Sequence, residues 1–106
     1  MTFRPVISDV ELADGAPKQV IVDGVPVCLV RTEGQLFAIG DVCSHGQVSL
    51  AEGEVDGTAI ECWLHGSRFD LRTGRPLSLP ATEAVAVHAV KIEDGTVLVD
   101  VEESLA

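Results

Sequence analysis

Two short segments of this chain carry residue types that bind transition metals. The first reads Cys43-Ser44-His45, and after a further sixteen residues the second reads Cys62-Trp63-Leu64-His65. Thiolate is the soft ligand that iron–sulfur clusters use, and neutral imidazole suits iron, copper and zinc. Each histidine is followed by a glycine, Gly46 or Gly66, and glycine lets the backbone turn tightly beside an inorganic core without a Cβ clash. The two segments therefore predict one mixed thiolate and imidazole metal site built from two loops.

Structural zinc is the alternative that these ligand types leave open, because zinc takes four such ligands in a tetrahedron. Structural zinc sites usually pair two cysteines in one segment and two histidines in another. Here each segment contributes one residue of each type. The pattern favours an iron–sulfur cluster, and in the zinc alternative the chain would be a non-redox binding module.

The spacing Cys-x-His-x16-Cys-x-x-His closely resembles the Rieske motif, in which two cysteines hold one iron of a [2Fe–2S] cluster and two histidines hold the other. The resemblance continues through Gly66 to Asp70, Arg72 to Gly74 and the proline-bearing Leu79-Pro80-Ala81. It implies one Rieske cluster as the cofactor. The ligands that it implies are Cys43, His45, Cys62 and His65.

The same resemblance predicts roles for residues around the ligands. Those expected to support the cluster are Gly46, Gly66, Ser67 and Pro80. The candidate docking residues at the tip of the loops are Gln47, Trp63 and Leu64. For the Trp63 side chain two interpretations stay open, because it can pack back onto the scaffold or stand exposed as an aromatic anchor of the kind that interfaces favour.

Among Rieske proteins, the chain looks most like the soluble ferredoxins of ring-hydroxylating oxygenase systems. Quinol-oxidising members brace the two loops with a disulfide, and the corresponding positions here are Val48 and Leu64. Ser67 matches the serine whose hydroxyl bonds to the cluster in those members, but Phe69 replaces their tyrosine. Fewer hydrogen bonds to sulfur lower the potential, so the resemblance implies a value in the lower part of the Rieske range of roughly −150 to +300 mV.

Such a potential suits a carrier of single electrons from an NAD(P)H-dependent flavoprotein ferredoxin reductase to a terminal non-heme iron oxygenase or another acceptor. The resemblance implies an electron-transfer component of an aromatic-ring dioxygenase system, and not an enzyme in itself. Two alternatives remain within the same chemistry: an accessory of iron–sulfur assembly or sulfur metabolism, and a nitrite-reductase-type small subunit. Chains of the latter type often lack the ligands, whereas this one has all four.

Length and charge limit the remaining possibilities. The 106 residues are enough for one domain. A net charge of −10 disfavours nucleic acid and anionic membranes as partners. No apolar run reaches membrane-spanning length and no signal peptide is recognised, so we expect a cytoplasmic protein. Cys28, the third cysteine, lies in an apolar run and is expected to be a buried, inert thiol.

Strand and turn signals predict an all-β fold. Residues 19–22 and 25–31 flank Asp23-Gly24 and predict a hairpin, a second hairpin through Asp56-Gly57 leads to Cys62, and Thr96 to Val101 follows the Asp94-Gly95 turn. We expect a small antiparallel β-barrel or sandwich as the base (residues 1–40 and 81–106) and an inserted cluster-binding lobe (residues 41–80). A last strand pair is predicted to begin at Ala84, with His88 on its solvent face.

Overall fold

Nine strands and two single-turn 3₁₀ helices make up the regular structure that a computed structural model describes over residues 2–44, 46–64, 66–79 and 81–102. The strands are β1 (Arg4–Ser8), β2 (Lys18–Val22), β3 (Val25–Thr32), β4 (Gln35–Gly40), β5 (Glu54–Asp56), β6 (Ala59–Glu61), β7 (Arg68–Asp70), β8 (Val87–Glu93) and β9 (Thr96–Asp100). The 3₁₀ helices are Asp9–Glu11 and Leu50–Glu52. Within these described ranges, no helix is long and apolar enough to cross a membrane.

Six of the strands form one antiparallel sheet in the order β1-β9-β8-β4-β3-β2. The two outer strands of this order, β1 and β2, also contact each other. The sheet therefore curls into a nearly closed barrel, which leaves few strand edges open to unwanted pairing. The predicted antiparallel barrel base is confirmed.

Three of the barrel hairpins turn through an acidic residue followed by glycine, and both residues have positive φ. This is the geometry of the tight turn that matches the twist of the flanking strands. The pairs are Asp23 (φ 50) with Gly24 (φ 81), Glu33 (φ 54) with Gly34 (φ 72), and Asp94 (φ 50) with Gly95 (φ 78). The hairpin predicted around Asp23-Gly24 is confirmed as β2 and β3.

The second sheet has the order β5-β6-β7 and is inserted between β4 and β8. β7 was not among the predicted strands, and it forms because Phe69 pairs with Ile60 of β6. This part of the chain also contributes large apolar side chains to the interior, since Leu50, Ile60, Phe69 and Leu71 are fully buried.

The buried side chains form two clusters. One fills the barrel with residues of the base: Leu12, which follows the first 3₁₀ helix, and the strand residues Val22, Val27, Leu29, Ala38, Val97 and Val99. The other lies where the barrel meets the second sheet, and it contains all three cysteines of the chain together with Leu50, Ile60, Phe69 and Leu71. The predicted metal-binding cysteines are thus held at the junction of the two sheets.

The last strand pair differs from the prediction in two ways. β8 begins at Val87 and not at Ala84, because the Val85 N–H donates to the Gly74 carbonyl (2.9 Å) and so joins that segment to a loop of the lobe. His88 is buried, with 6% exposure, and was wrongly placed on the surface. It lies opposite Ala38, where the lobe residues Leu71 and Arg72 approach that face of the barrel.

Candidate metal centre

The first cysteine loop leaves the barrel at the end of β4 and closes on Cys43. The Cys43 N–H donates to the Val48 carbonyl at 2.9 Å, and the Cys43 carbonyl accepts from the N–H groups of Gly46 (3.3 Å) and Gln47 (3.4 Å). Both backbone groups of the cysteine are therefore used within its own loop. Only 2% of Cys43 is exposed, so its sulfur is held in apolar surroundings at a fixed place.

The second cysteine loop, between β6 and β7, repeats this arrangement. The Cys62 N–H donates to the Ser67 carbonyl at 2.7 Å, and the Gly66 N–H donates to the Cys62 carbonyl at 3.0 Å. Gly66 has a φ of +76°, a conformation that glycine adopts without the Cβ penalty of other residues. Cys62 is 3% exposed, as well buried as its counterpart.

The two loops touch each other. A Cβ placed on Gly46 would lie 2.8 Å from the Cδ2 atom of Leu64. Gly46 of the first loop therefore packs against the Leu64 side chain of the second loop. This contact, and the shared apolar cluster that contains Cys43 and Cys62, confirm that two separate segments meet at one site.

A third segment is tied to both loops. Ser67 is 1% exposed, and its hydroxyl oxygen accepts a hydrogen bond from the Ala81 N–H at 3.0 Å. The Ser44 hydroxyl of the first loop donates to the Glu83 carbonyl at 2.6 Å. The chain around residues 81–83 therefore fixes the spacing of the two cysteine loops.

Three of the predicted residues, His45, His65 and Pro80, lie outside the described residues. Among the residues that are described, no group of three or more histidine, cysteine or acidic side chains is placed to hold a metal ion. Of the four predicted ligands, the structure describes the two cysteines, and their ligation stays a prediction.

The rim of the site is apolar and exposed. Trp63 is 52% exposed and Leu64 37%, so of the two interpretations of Trp63 the exposed one describes the structure better. Gln47 is also exposed. Between residues 41 and 79, the other large apolar side chains that stand exposed are Val42, Leu77 and Leu79.

The sequence analysis missed Asp41, a buried carboxylate beneath the first loop. It is 1% exposed, and it accepts hydrogen bonds from Gln19 Nε2 (2.6 Å), the Ser49 hydroxyl (2.6 Å) and the Ala51 N–H (3.0 Å). Its own carbonyl accepts from the Leu50 N–H at 2.7 Å. The available signal was an acidic residue directly after an apolar strand and two positions before a predicted ligand.

The third cysteine is unsuited to ligation. Cys28 is fully buried in the middle of β3. Burial raises the pKa of its thiol, and the negative charge of Asp41 raises it further, so the sulfur stays protonated, whereas a metal ligand must be a thiolate. The prediction that this thiol is buried is confirmed, and its raised pKa agrees with the inert role expected of it. No disulfide joins Cys28, Cys43 and Cys62.

The donor set fits a Rieske cluster as far as it is described. Two cysteines, each from its own loop, converge in dry surroundings, which suits the iron that takes two thiolates. The two glycines serve the loops themselves, since Gly46 leaves room for the Leu64 side chain and Gly66 takes a positive φ.

Comparison with known proteins gives the same result. The Rieske [2Fe-2S] domain family model matches residues 2–91. The biphenyl dioxygenase ferredoxin subunit of Pseudomonas sp. (strain KKS102) is 41% identical over 101 residues, which are 94% of this chain and 93% of that protein.

Two solved structures match almost the whole chain. The ferredoxin of carbazole 1,9a-dioxygenase from Nocardioides aromaticivorans IC177 is 36% identical, with a TM-score of 0.88 over 93% of this chain and 97% of that one. A chain from a complex of reduced oxygenase and oxidized ferredoxin in carbazole 1,9a-dioxygenase is 35% identical, with a TM-score of 0.90 over 98% and 97%. The family match also decides against structural zinc. The chain therefore belongs to the Rieske [2Fe-2S] domain family, and its cofactor is one Rieske cluster.

Proposed function

We propose that this chain is the ferredoxin of an aromatic-ring dioxygenase system. It carries single electrons from an NAD(P)H-dependent flavoprotein reductase to a terminal non-heme iron oxygenase. The observation that carries the proposal is the convergence of two buried cysteines beneath an exposed apolar rim. Support for the partner comes from relatives that are named as ferredoxin components of biphenyl and anthranilate dioxygenases and from the similar oxygenase–ferredoxin complex.

We assign the four ligands as Cys43 and Cys62 on one iron and His45 and His65 on the other. When bound, the cluster accepts and returns one electron without bond chemistry. The chain's own contribution is to hold the two sulfurs away from water and to leave the rim of both loops open to a partner. No substrate has to enter, so we propose that the chain acts as a carrier and not as an enzyme.

Replacing each ligand tests this assignment. Cys43→Ser, His45→Ala, Cys62→Ser and His65→Ala should each abolish the EPR signal of the reduced Rieske cluster. Cys28→Ala is the matched control, because this cysteine is equally buried but lies in a strand, and it should keep the signal. A normal signal in any of the four ligand variants would contradict the assignment.

The rim is proposed as the docking surface, with Trp63, Leu64 and Gln47 as its contact residues. Exposed aromatic residues are enriched among the side chains that dominate binding energy. Trp63→Ala should slow electron transfer to the oxygenase in a reconstituted reductase, ferredoxin and oxygenase assay, while the reduction potential stays unchanged. Ile21→Ala, at a 60% exposed apolar residue of β2 in the base, is the control and should leave the rate unchanged. Equal rates for wild type and Trp63→Ala would contradict a docking role for Trp63.

Two broader assignments complete the proposal. Residues 1–40 and 81–106 form the base of a single domain, and residues 41–80 form the cluster-binding lobe. The position of β5, β6 and β7 between residues 54 and 70 supports this division. The protein is assigned to the cytoplasm, and Cys28, the one cysteine left once Cys43 and Cys62 are assigned as ligands, supports a reducing compartment because it forms no disulfide.

A further inference from the structure

Asp41 holds a negative charge at the base of the first cysteine loop. The three hydrogen-bond donors to its carboxylate found among the described residues are electrically neutral: the Gln19 amide, the Ser49 hydroxyl and the Ala51 N–H. None of the ion pairs found among the described residues includes Asp41. An ionised carboxylate accepts hydrogen bonds and donates none, which matches these three donors, and among the described residues no cationic side chain pairs with this carboxylate.

This charge lies close to the proposed cluster. Asp41 stands two residues before Cys43, and consecutive Cα atoms are about 3.8 Å apart, so the two Cα atoms are at most about 7.6 Å apart. Cys28, Cys43 and Cys62 share one apolar cluster, where charges interact more strongly than in water. The effect already reaches one of these sulfurs, because the Asp41 charge contributes, after burial, to the raised pKa of Cys28.

We propose that the buried charge of Asp41 lowers the reduction potential of the cluster, and that its hydrogen bonds also position the Cys43 loop. The inference depends on the proposed ligation by Cys43. Reduction adds one electron, and a nearby fixed negative charge opposes that addition. Asp41 thereby acts in the same direction as the absence of a tyrosine hydroxyl at Phe69, and the two together favour a potential that an NAD(P)H-linked reductase can use.

Three variants separate the charge from the hydrogen bonds. Asp41→Asn removes the charge but keeps the shape and an oxygen that can accept from Ala51, while the Gln19 amide and the Ser49 hydroxyl can turn to accept from the new NH₂ group. Ser49→Ala removes one donor and keeps the charge. Asp100→Asn removes a carboxylate that is also buried (4% exposed) but lies on β9 of the base.

The measurement is the reduction potential by protein film voltammetry, accompanied by the EPR spectrum and the urea midpoint of each variant. Asp41→Asn should raise the potential. Ser49→Ala should lower it or leave it unchanged, because the charge then has one compensating dipole fewer. Asp100→Asn should shift the potential by less than Asp41→Asn.

The outcomes distinguish this inference from the proposed function. An unchanged or lower potential in Asp41→Asn, with a normal EPR spectrum, overturns the charge effect and leaves the ligand assignment standing. An equal rise in Asp41→Asn and Ser49→Ala overturns it too, since a disturbed loop would then explain both. If the Asp41→Asn variant does not assemble the cluster, the reduction potential of Ser49→Ala decides. A potential above the wild-type value in Ser49→Ala contradicts the proposal. A wild-type protein without a Rieske EPR signal would instead overturn the proposed function.

Discussion

At the scale of single residues, three cysteines share one apolar cluster, but two of them lie in loops and one lies in a strand. Cys43 and Cys62 lie in loops that form hydrogen bonds with the N–H and carbonyl groups of the cysteine itself, and both residues are buried. Cys28 lies inside a paired strand, opposite Ile39. Of the three sulfurs in this apolar cluster, we assign those of Cys43 and Cys62 as metal ligands, whereas Cys28 fills space in the core.

At alkaline pH, the free energy of unfolding should depend on the ionisation of the Cys28 thiol. Its pKa in the folded protein is raised above the ordinary value of 9.0 by burial and then by Asp41. The unfolded chain loses this proton near pH 9 and the folded chain keeps it, so the contribution to stability is complete below that pH and is lost as the pH rises through the folded pKa. The expected slope is about 1.36 kcal/mol per pH unit.

Urea unfolding of wild type and Cys28→Ala, compared between pH 8 and about pH 10, checks this expectation. The variant starts less stable because it leaves a small cavity, but its free energy of unfolding should fall less steeply over this range. Parallel pH profiles for the two proteins would contradict it.

Ser67 is the second residue whose role can be tested alone. Its oxygen accepts from the buried Ala81 N–H, so Ser67→Ala leaves that donor unpaired and should cost about 1–3 kcal/mol in the free energy of unfolding. Because we assign Ser67 as a residue that supports the cluster, the loss of its hydroxyl should also lower the reduction potential. Ser78→Ala is the control, because Ser78 accepts in the same way from the Arg68 N–H but is only partly buried, and water can replace it. Equal losses of unfolding free energy in the two variants would contradict the prediction that burial makes the Ser67 hydrogen bond the more important one.

At the scale of elements, the loop after β7 is fixed by a close approach of two backbones. The Gly74 N–H donates to the Asp70 carbonyl at 2.7 Å, and the Gly74 carbonyl accepts from the Val85 N–H. A Cβ on Gly74 would lie 2.1 Å from the Val85 carbonyl oxygen, and its φ is +73°. This contact joins the lobe to the start of β8.

Gly74→Ala should therefore unfold the lobe or fail to assemble the cluster, since the obstacle is backbone and cannot rotate away. Gly95→Ala is matched in backbone conformation, with φ +78°, but has open space around it. It should cost only about 1–2 kcal/mol for the left-handed conformation. The measurement is the urea midpoint of each variant together with its iron content. Similar small losses in both would show that the Gly74 contact relaxes.

The elements also show how far sequence reasoning reaches. The hairpin at Asp23-Gly24 was predictable because its turn chemistry is local. β7 was not, since a three-residue strand gets its stability from pairing with β6. His88 and Asp41 were missed for the same reason, because their burial depends on residues distant in sequence, such as Leu71 for His88 and Gln19 for Asp41.

At the scale of the whole molecule, part of the negative charge of the chain lies next to the proposed docking rim. The net charge is −10, and a groove beside Trp63 is lined by Glu52, Glu54 and Glu61. Opposite charges on a redox partner would speed its encounter with this face. The same charge also keeps a protein in solution, so composition alone does not separate steering from solubility.

Salt dependence separates the two explanations. If the acidic groove steers a basic partner, the second-order rate of electron transfer to the oxygenase should fall as ionic strength rises from about 10 to about 150 mM, because the Debye length shrinks from about 30 to about 8 Å. The double variant Glu52→Gln with Glu54→Gln should transfer more slowly at low salt and show a weaker dependence. Glu93→Gln with Asp94→Asn removes the same formal charge from exposed positions at the β8–β9 turn, and should keep most of the wild-type dependence. If both double variants lose the same fraction of the wild-type rate at low salt, the net charge and not the groove sets the rate. If the wild-type rate does not depend on salt, the acidic surface serves solubility and not steering.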